Sequence, residues 1–475
     1  MTLPETIIIE KIVTGGFGLG RMPDGRVVLV HSVLPGETVA IEPVKTTKGY
    51  IEAKPLKIII PSPARIVPPC PYYLECGGCD LQHTDSDAQL QIKSDILKEQ
   101  FLRSRIITDE QLEKIWQPPL ATASPTGYRQ RIRLQVEKGR LGYHKKNSHE
   151  VVVIQACLLA RPEINLALAR LRESTPARQL LAKARDVELI VNDATSRVVL
   201  VIQLLQRPGS IDFDNAAAIT KAIPEIEAIT FTIKKAGEKN SYQVSDADKN
   251  ELLVQVNLPA DISGQPLRLA LTPGGFCQVN AEQNHNLIRC LLDWAGSLEN
   301  QRILDLFCGM GNFSLPLAQN ARQVVGVEID RQAVANAENN ARANGITNCL
   351  FRRCSAEKGA GDLVANHDTF DLILLDPPRQ GCKDVIPYLP GLLAETIIYI
   401  SCDPATLVRD LKALQPHGYD IEKIRLVDMF PQTHHIETMV LLRRSGNSLS
   451  KIRELESRHR NGYQAKPVGK DEFRL

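Results

Sequence analysis

The sequence has no apolar run approaching the 18 residues that a membrane-spanning helix needs, so no such helix is predicted. Its start, MTLPETIIIEK, has no basic stretch ahead of the short apolar run, which excludes a secretory leader of the usual form. These two absences place the chain in the cytoplasm and give it no membrane partner. Net charge is also nearly lacking, at +2 over 475 residues. Binding to a polyanion through bulk charge is thereby excluded and left to local basic surfaces. Residues 443–475 carry nine Lys and Arg against four Asp and Glu, so the rest of the chain is slightly acidic. There is no repeat at a fixed period, which excludes a solenoid or a propeller.

The chain is long enough for two to four domains, and its 43% hydrophobic and 24% charged content is that of an ordinary globular protein. Residues 1–60 alternate short β-rich stretches (IIIEKIV, GRVVLVHSVL, ETVAIEPVK) with glycine clusters and a PDG turn, a pattern that predicts a small barrel. A proline-rich linker, IIPSPARIVPPCPYY, leads into residues 61–270. That central α+β unit contains an expected helix in DAQLQIKSDILKEQFLR and an expected strand in YRQRIRLQV. From QRILDLF, within residues 271–443, strand and helix alternate regularly, the signature of a doubly wound parallel sheet. Residues 444–475 form a basic tail.

Within this last unit, RILDLFCGMGNFSLPLA reads as a buried strand, a turn through Gly309 and Gly311, and a helix start. Glycines at the mouth of a sheet let the backbone approach a ligand beside a helix N-terminus. The following strand, RQVVGVEID, ends in Glu328, placed to accept both hydroxyls of an adenosine ribose. A dinucleotide fingerprint would need a third glycine where Ser314 stands. S-adenosylmethionine, with ribose and adenine but no pyrophosphate, suits the turn better than a diphosphate cofactor.

The eleven cysteines do not suggest disulfides in a reducing compartment. CPYYLECGGC puts Cys70, Cys76 and Cys79 within ten residues among glycines, and QACLLA supplies Cys157. The trio predicts a metal ion or a cluster, with zinc and iron–sulfur both open on spacing. The Cys-x3-Cys-x2-Cys spacing of radical-generating clusters is missing, which argues against a radical methylthiolation enzyme. A further cysteine, Cys402 in YISCDPATLVRD, falls one residue past a strand-like run, where open α/β sheets present their reactive groups.

Three basic side chains, Arg129, Arg131 and Arg133, are expected along one face of YRQRIRLQV, in position to follow a phosphate backbone. Lys145 and Lys146 would extend that footprint from a loop tip, and Phe276 is placed to stack on an extruded base. Adjacent His434 and His435, in an extended segment, are expected to point opposite ways and so not to form a metal pair. Asp376 precedes Pro377 and Pro378, which stop the sheet and leave its carboxylate at the cleft.

The ordered set DLFCGMGNF, LLDPPRQG, YISCDPATLVRD and THHIETMVLL resembles the RNA uracil-5-methyltransferases, and within them the iron–sulfur branch that methylates ribosomal RNA. GGFGLGR and VLPGE are similar to the RNA-binding TRAM domain, an OB-like barrel. The resemblance runs to about residue 443. It implies a class I methyltransferase domain that uses S-adenosylmethionine, with Cys402 as nucleophile and Glu437 as the base that removes a proton. It further implies that Phe307, Asn312, Glu328, Gln278, Asp376 and Ser355 lie at the cofactor and target base, and that Cys70, Cys76, Cys79 and Cys157 hold a [4Fe-4S] cluster. The implied partner is ribosomal RNA, or transfer RNA with the same chemistry, and the protein is expected to act as a monomer on a looped or unfolded target. Asp403 departs from the family, many of whose members have Asn there, and would lower thiolate character at its neighbour. A non-catalytic RNA-binding or assembly protein is the other class of reading, and the ordered catalytic set argues against it.

Overall fold

A computed structural model describes residues 5–235, 238–244, 252–260 and 265–445. The expected basic tail lies, past its first residues, outside them. Five strands at the N-terminus, β1 (Glu5–Val13), β2 (Phe17–Arg21), β3 (Val27–His31), β4 (Thr38–Thr46) and β5 (Ile51–Ile60), close into a barrel in the order β1-β2-β3-β5-β4. Alternation along the strands turns Ile7, Ile9, Val28, Val30, Val39 and Ile41 into a core of the barrel's own. Gly20 is required by the close strand approach, since a Cβ there would stand 2.6 Å from the carbonyl oxygen of Ile8.

The central unit is built on a seven-stranded sheet. Its strands are β6 (Arg131–Glu137), β7 (Arg140–His144), β8 (Val151–Val153), β9 (Ala184–Asn192), β10 (Arg197–Leu204), β11 (Ile226–Lys235) and β12 (Glu238–Val244). They run in the order β12-β11-β10-β9-β6-β7-β8, and the helices Pro162–Glu173, Thr175–Leu181 and Ser210–Ala222 help bury a second core against them. A two-stranded ribbon, β13 (Val254–Leu258) with β14 (Leu267–Leu271), leads into the last unit.

That unit holds a second seven-stranded sheet. Its strands are β15 (Arg302–Leu306), β16 (Gln323–Glu328), β17 (Cys349–Arg353), β18 (Leu372–Leu375), β19 (Thr396–Ser401), β20 (Tyr419–Val427) and β21 (Glu437–Arg444), in the order β17-β16-β15-β18-β19-β21-β20. The first five are parallel, and β21 enters antiparallel between β19 and β20. Both faces are covered, which is why strands such as LILL and TIIYIS are buried along their whole length rather than alternating. Leu304, Leu306, Ile373, Leu375 and Tyr399 face one core, and Ile303, Leu372, Leu374, Ile398 and Ile400 the other. The doubly wound α/β fold expected from the sequence is the fold observed.

The helix at Ser86–Ser104, far away in sequence, joins this last unit. Its Ile92, Ile96, Leu97 and Phe101 sit in the same core as Leu407 and Leu411 of the helix Pro404–Leu414. Burying four large apolar side chains contributes about 1.5–3 kcal/mol each, enough to fix that helix on the sheet. The chain segment beside the cysteines is therefore anchored to the unit that carries Cys402.

Candidate active site and cysteine pocket

Strand register assembles the site. Leu306 pairs with Leu375, Leu375 with Tyr399, and Ser401 with Thr438. The residues one step beyond these parallel strands, Phe307, Asp376 and Cys402, therefore share the carboxyl edge of the sheet. Because β21 runs the other way, its first residue, Glu437, arrives at the same edge next to Cys402. Four strands and one reversal thus bring together residues spread over 130 positions of sequence.

Cys402 is half-buried, immediately ahead of Asp403, which caps the helix Pro404–Leu414 by accepting from the Thr406 N–H at 2.8 Å. Asp and Asn rank alike as helix caps, so the carboxylate at 403 does the work that Asn would do. Burial pushes the Cys402 thiol up to about 11, with the Glu437 and Asp376 carboxyls adding to the rise and the Arg379 guanidinium opposing it. Arg379 lies on the loop after Asp376, and its carbonyl accepts from the Thr406 hydroxyl at 3.1 Å, tying that loop to the cysteine's helix.

Glu437 is only 6% exposed; burial, reinforced by Asp376, holds its carboxyl well above the usual range. Burial likewise pushes Asp376 up to about 7. Three acidic groups that resist ionisation therefore share one edge of the sheet, a setting in which buried carboxyls can exchange protons near neutral pH.

The glycine turn next to them is backbone-strained. Phe307 has φ +70°, a left-handed conformation that is uncommon for a bulky residue and marks a constrained functional turn. Gly311 has φ +89°, and Gly309 faces open space where a Cβ would be. Glu328 accepts from the Gly309 N–H at 3.2 Å and from the Asp330 N–H at 2.8 Å, so its carboxylate lies at the rim of that space. The open cradle and the carboxylate fit an adenosine ribose. Asn312 forms a reciprocal amide pair with Asn284, 2.9 Å in each direction. Ser355 caps the helix Ala356–Ala365 by accepting from Lys358 N–H at 3.2 Å, just past the end of β17. Gln278 sits in the loop after β14, where its carbonyl accepts from the Gln130 side chain at 2.7 Å.

Cys70, Cys76, Cys79 and Cys157 line one pocket together with Tyr72, Tyr143, Gln82 and Arg129. Burial pushes the thiols of Cys76 and Cys79 up to about 11 and 12, the neighbouring thiols add to the rise, and Arg129 opposes it. Among the described residues no three His, Cys, Asp or Glu close on a single point as ligands of one metal ion do. The four thiols instead surround a shared space.

The arginine row differs from expectation. Only Arg131 and Arg133 share a strand face; the strand begins at Arg131, and Arg129 precedes it and turns to the cysteine pocket. Arg131 and Arg133 both bind Glu188, at 2.6 and 2.8 Å, across the β6–β9 pairing. Both guanidinium groups are thus paired with a carboxylate on the next strand; the Arg131 side chain is largely buried, and that of Arg133 is half-exposed. Lys145 pairs with Glu150 and Lys146 with Asp80. Phe276 is 70% exposed, as a stacking residue must be. The two histidines also differ: their rings lie side by side, 4.4 Å apart, because residues 431–434 turn rather than extend.

Two buried carboxyls beside the candidate site and the cysteine pocket were not singled out from sequence. Asp305 lies fully buried in β15, is pushed up to about 7 by burial, and accepts a hydrogen bond from Ser314, the residue that replaces the third glycine. A lone acid inside the apolar run RILDLF was the available signal. The other is Asp80, directly after Cys79, which binds the loop carrying the two histidines; nothing in its local sequence marks it.

Comparison with known proteins gives consistent matches. The family described as tRNA (Uracil-5-)-methyltransferase matches residues 86–445. A 23S rRNA (uracil(1939)-C(5))-methyltransferase RlmD of Vibrio parahaemolyticus is 32% identical over 457 residues, 94% of this chain and 97% of the relative. The protein of the same description from Shewanella sp. is 35% identical, covering 93% and 96%. The crystal structure of Pyrococcus abyssi tRNA (uracil-54, C5)-methyltransferase with S-adenosyl-L-homocysteine superposes with a TM-score of 0.70 at 24% identity, covering 92% of this chain and 99% of that one, a likeness of fold. With identity of this order sustained over nearly the whole length, and with the cysteine, the carboxyls and the glycine turn gathered on one sheet edge, the chain belongs to the RNA uracil-5-methyltransferase family.

Proposed function

We propose that the protein methylates C5 of a uracil in 23S ribosomal RNA, with Cys402 as nucleophile and Glu437 as base. The observation that carries this reading is the register that brings Glu437, on the reversed strand, beside Cys402 at a buried edge. Uracil C5 is a poor nucleophile. Addition of the Cys402 sulfur to C6 converts the ring to an enolate and makes C5 electron-rich, dividing one hard step into easier ones. S-adenosylmethionine, when bound, supplies the methyl group as an electrophile. Phe307, Asn312, Glu328, Gln278 and Ser355 are the residues that would hold it, with Glu328 at the ribose and Asp376 between cofactor and base. After methyl transfer Glu437 takes the C5 proton, the C5–C6 double bond re-forms, and the sulfur leaves as thiolate.

Burial acts on the two groups in opposite senses. It makes the ionised Glu437 a stronger base, suited to remove a proton from carbon, while it opposes ionisation of the Cys402 thiol. Cys402 reacts as the thiolate, and Arg379 is the cation that favours its ionisation. Phe276, exposed near Gln278, offers a face for the extruded ring.

Ribosomal RNA is preferred to transfer RNA because the curated relatives that match over more than nine-tenths of this chain are described as acting on it. Incubating the protein with S-adenosylmethionine and each RNA class, then mapping 5-methyluridine, tests this. Methylation of one uridine in 23S RNA is expected, and methylation confined to transfer RNA would overturn the target while leaving the chemistry intact.

The four thiols fit a [4Fe-4S] cluster, since they surround a common space and ligation would relieve the resistance of Cys76 and Cys79 to ionisation. Protein purified without oxygen is expected to be brown and to hold iron and sulfide at about four each per chain. Stoichiometric zinc without sulfide is the contrary result.

A further inference from the structure

The loop between β20 and β21 delivers Glu437 to the site, and much of its backbone is held from outside. Four successive carbonyls each accept a hydrogen bond from a residue in the first 280 positions. Asn280 donates to Met429 at 3.3 Å, Lys93 to Phe430 at 2.9 Å and Tyr128 to Pro431 at 3.0 Å. Gln432 receives the N–H groups of both Asp80 and Leu81, at 2.9 and 3.0 Å. Gln432 is itself buried with φ +69°, a conformation that needs such support.

Asp80 goes further than anchoring the backbone. It is 8% exposed and directly follows Cys79. One carboxylate oxygen accepts from the His434 N–H at 3.2 Å and faces His434 Nδ1 at 2.6 Å, while the other accepts from Lys146 at 2.8 Å. The Tyr73 hydroxyl donates to its carbonyl at 2.6 Å. His434 stacks beside His435, whose Nε2 lies 3.5 Å from Arg379, the cation facing Cys402. The barrel closes the same spot: a Cβ on Gly16 would stand 3.1 Å from that of His434 and 3.4 Å from that of Asp80. A set of contacts thus runs from the cysteine segment through Asp80 and the two histidines to Arg379, and the same loop continues along the chain into Glu437.

We propose that Asp80 is a positioning residue for methyl transfer: from the cysteine segment it fixes the histidine loop, and through that loop the Glu437 carboxylate. The proposal rests on the reading of Glu437 as the base. A loop that needed only to be held down has its four carbonyl bonds. A buried carboxylate aimed at the residue three places before Glu437 sets orientation as well. A small displacement of a base from the carbon it deprotonates slows that step far more than it weakens binding.

The test compares holoenzymes carrying Asp80→Asn and His434→Ala with the native protein, using RNA whose target uracil bears deuterium at C5. Asp80→Asn keeps the shape and one acceptor oxygen; His434→Ala removes the ring and leaves Asp80 in place. In both variants turnover is expected to fall roughly ten- to hundredfold with KM changed by less than about twofold. The C5 deuterium isotope effect should rise and the covalent enzyme–RNA species should accumulate, with iron content and thermal midpoint native. Native turnover and isotope effect in both variants would overturn the proposal, as would a rate loss that only tracks lost iron or lost fold. Glu437→Gln in the same assay separates the two ideas. If that variant accumulates no covalent species, the base assignment fails; if it does while the other two behave as native, the positioning role alone fails.

Discussion

Cys402→Ala is expected to lower methyl transfer by about 10⁴-fold or more, the scale seen when an enzyme loses its covalent nucleophile. Binding of S-adenosylmethionine should persist, because the glycine turn and Glu328 lie two and three strands away from Cys402 in the sheet order. The small side chain leaves the helix cap at Asp403 intact, so loss of fold is not expected to contribute. Single-turnover methylation with equilibrium binding of the donor checks both halves. Retained turnover would remove the nucleophile from the mechanism. The native thiol should also show its burial: pushed up to about 11, it is nearly all protonated at pH 7. Its alkylation, followed by peptide mass spectrometry, should then speed up about tenfold per pH unit from 7 to 9 without levelling.

Glu437→Gln has the second large effect, of the opposite kind. The amide matches the carboxyl in shape but cannot take a proton from carbon, so methyl transfer proceeds and elimination stalls. Enzyme joined to methylated RNA should accumulate on a denaturing gel, with turnover reduced by roughly 10²–10⁴-fold, the usual contribution of a general base. Release of methylated RNA at the native rate would show that another group removes the proton. Because Glu437 and Asp376 are buried together, the substitution also removes a carboxyl that raises the Cys402 thiol. The thiol of the variant should therefore alkylate faster than that of the native protein, which separates loss of the base from general damage to the site.

Much of this site can be read along the chain because its parts sit at strand ends, and strand ends are marked by composition. YISC, LLDPP and DLFCG each combine an apolar run with an abrupt polar or glycine stop, and the doubly wound pattern sends all such stops to one edge. What cannot be read is pairing between distant segments. Alternation predicted a basic face through Arg129, Arg131 and Arg133, but only the structure brings Glu188 from β9 against the last two. The histidine rings were expected to diverge on the assumption of an extended chain; a turn through Gln432 at positive φ brings them together. Asp80 has no local signal because its role is defined by a loop more than 350 positions later. Helix Ser86–Ser104 hides its attachment for a related reason. Its buried surface includes Gln89, Lys93 and Ser94, so polar residues interrupt the apolar stripe. Each is satisfied within the fold: Lys93 by Asp428 at 2.6 Å, Gln89 by Gln432, and Ser94 by the Leu90 carbonyl at 2.8 Å.

The central claim is the bond between Cys402 and C6 of the target uracil. RNA carrying 5-fluorouracil at the target position tests it most directly, since fluorine at C5 cannot leave as a proton does and the methylated adduct cannot eliminate. Incubation with enzyme and S-adenosylmethionine is expected to yield a denaturation-resistant protein–RNA species whose nuclease- and protease-resistant core maps to the peptide containing Cys402. Complete absence of that species, under conditions where the enzyme methylates unmodified RNA, would contradict covalent catalysis by this residue.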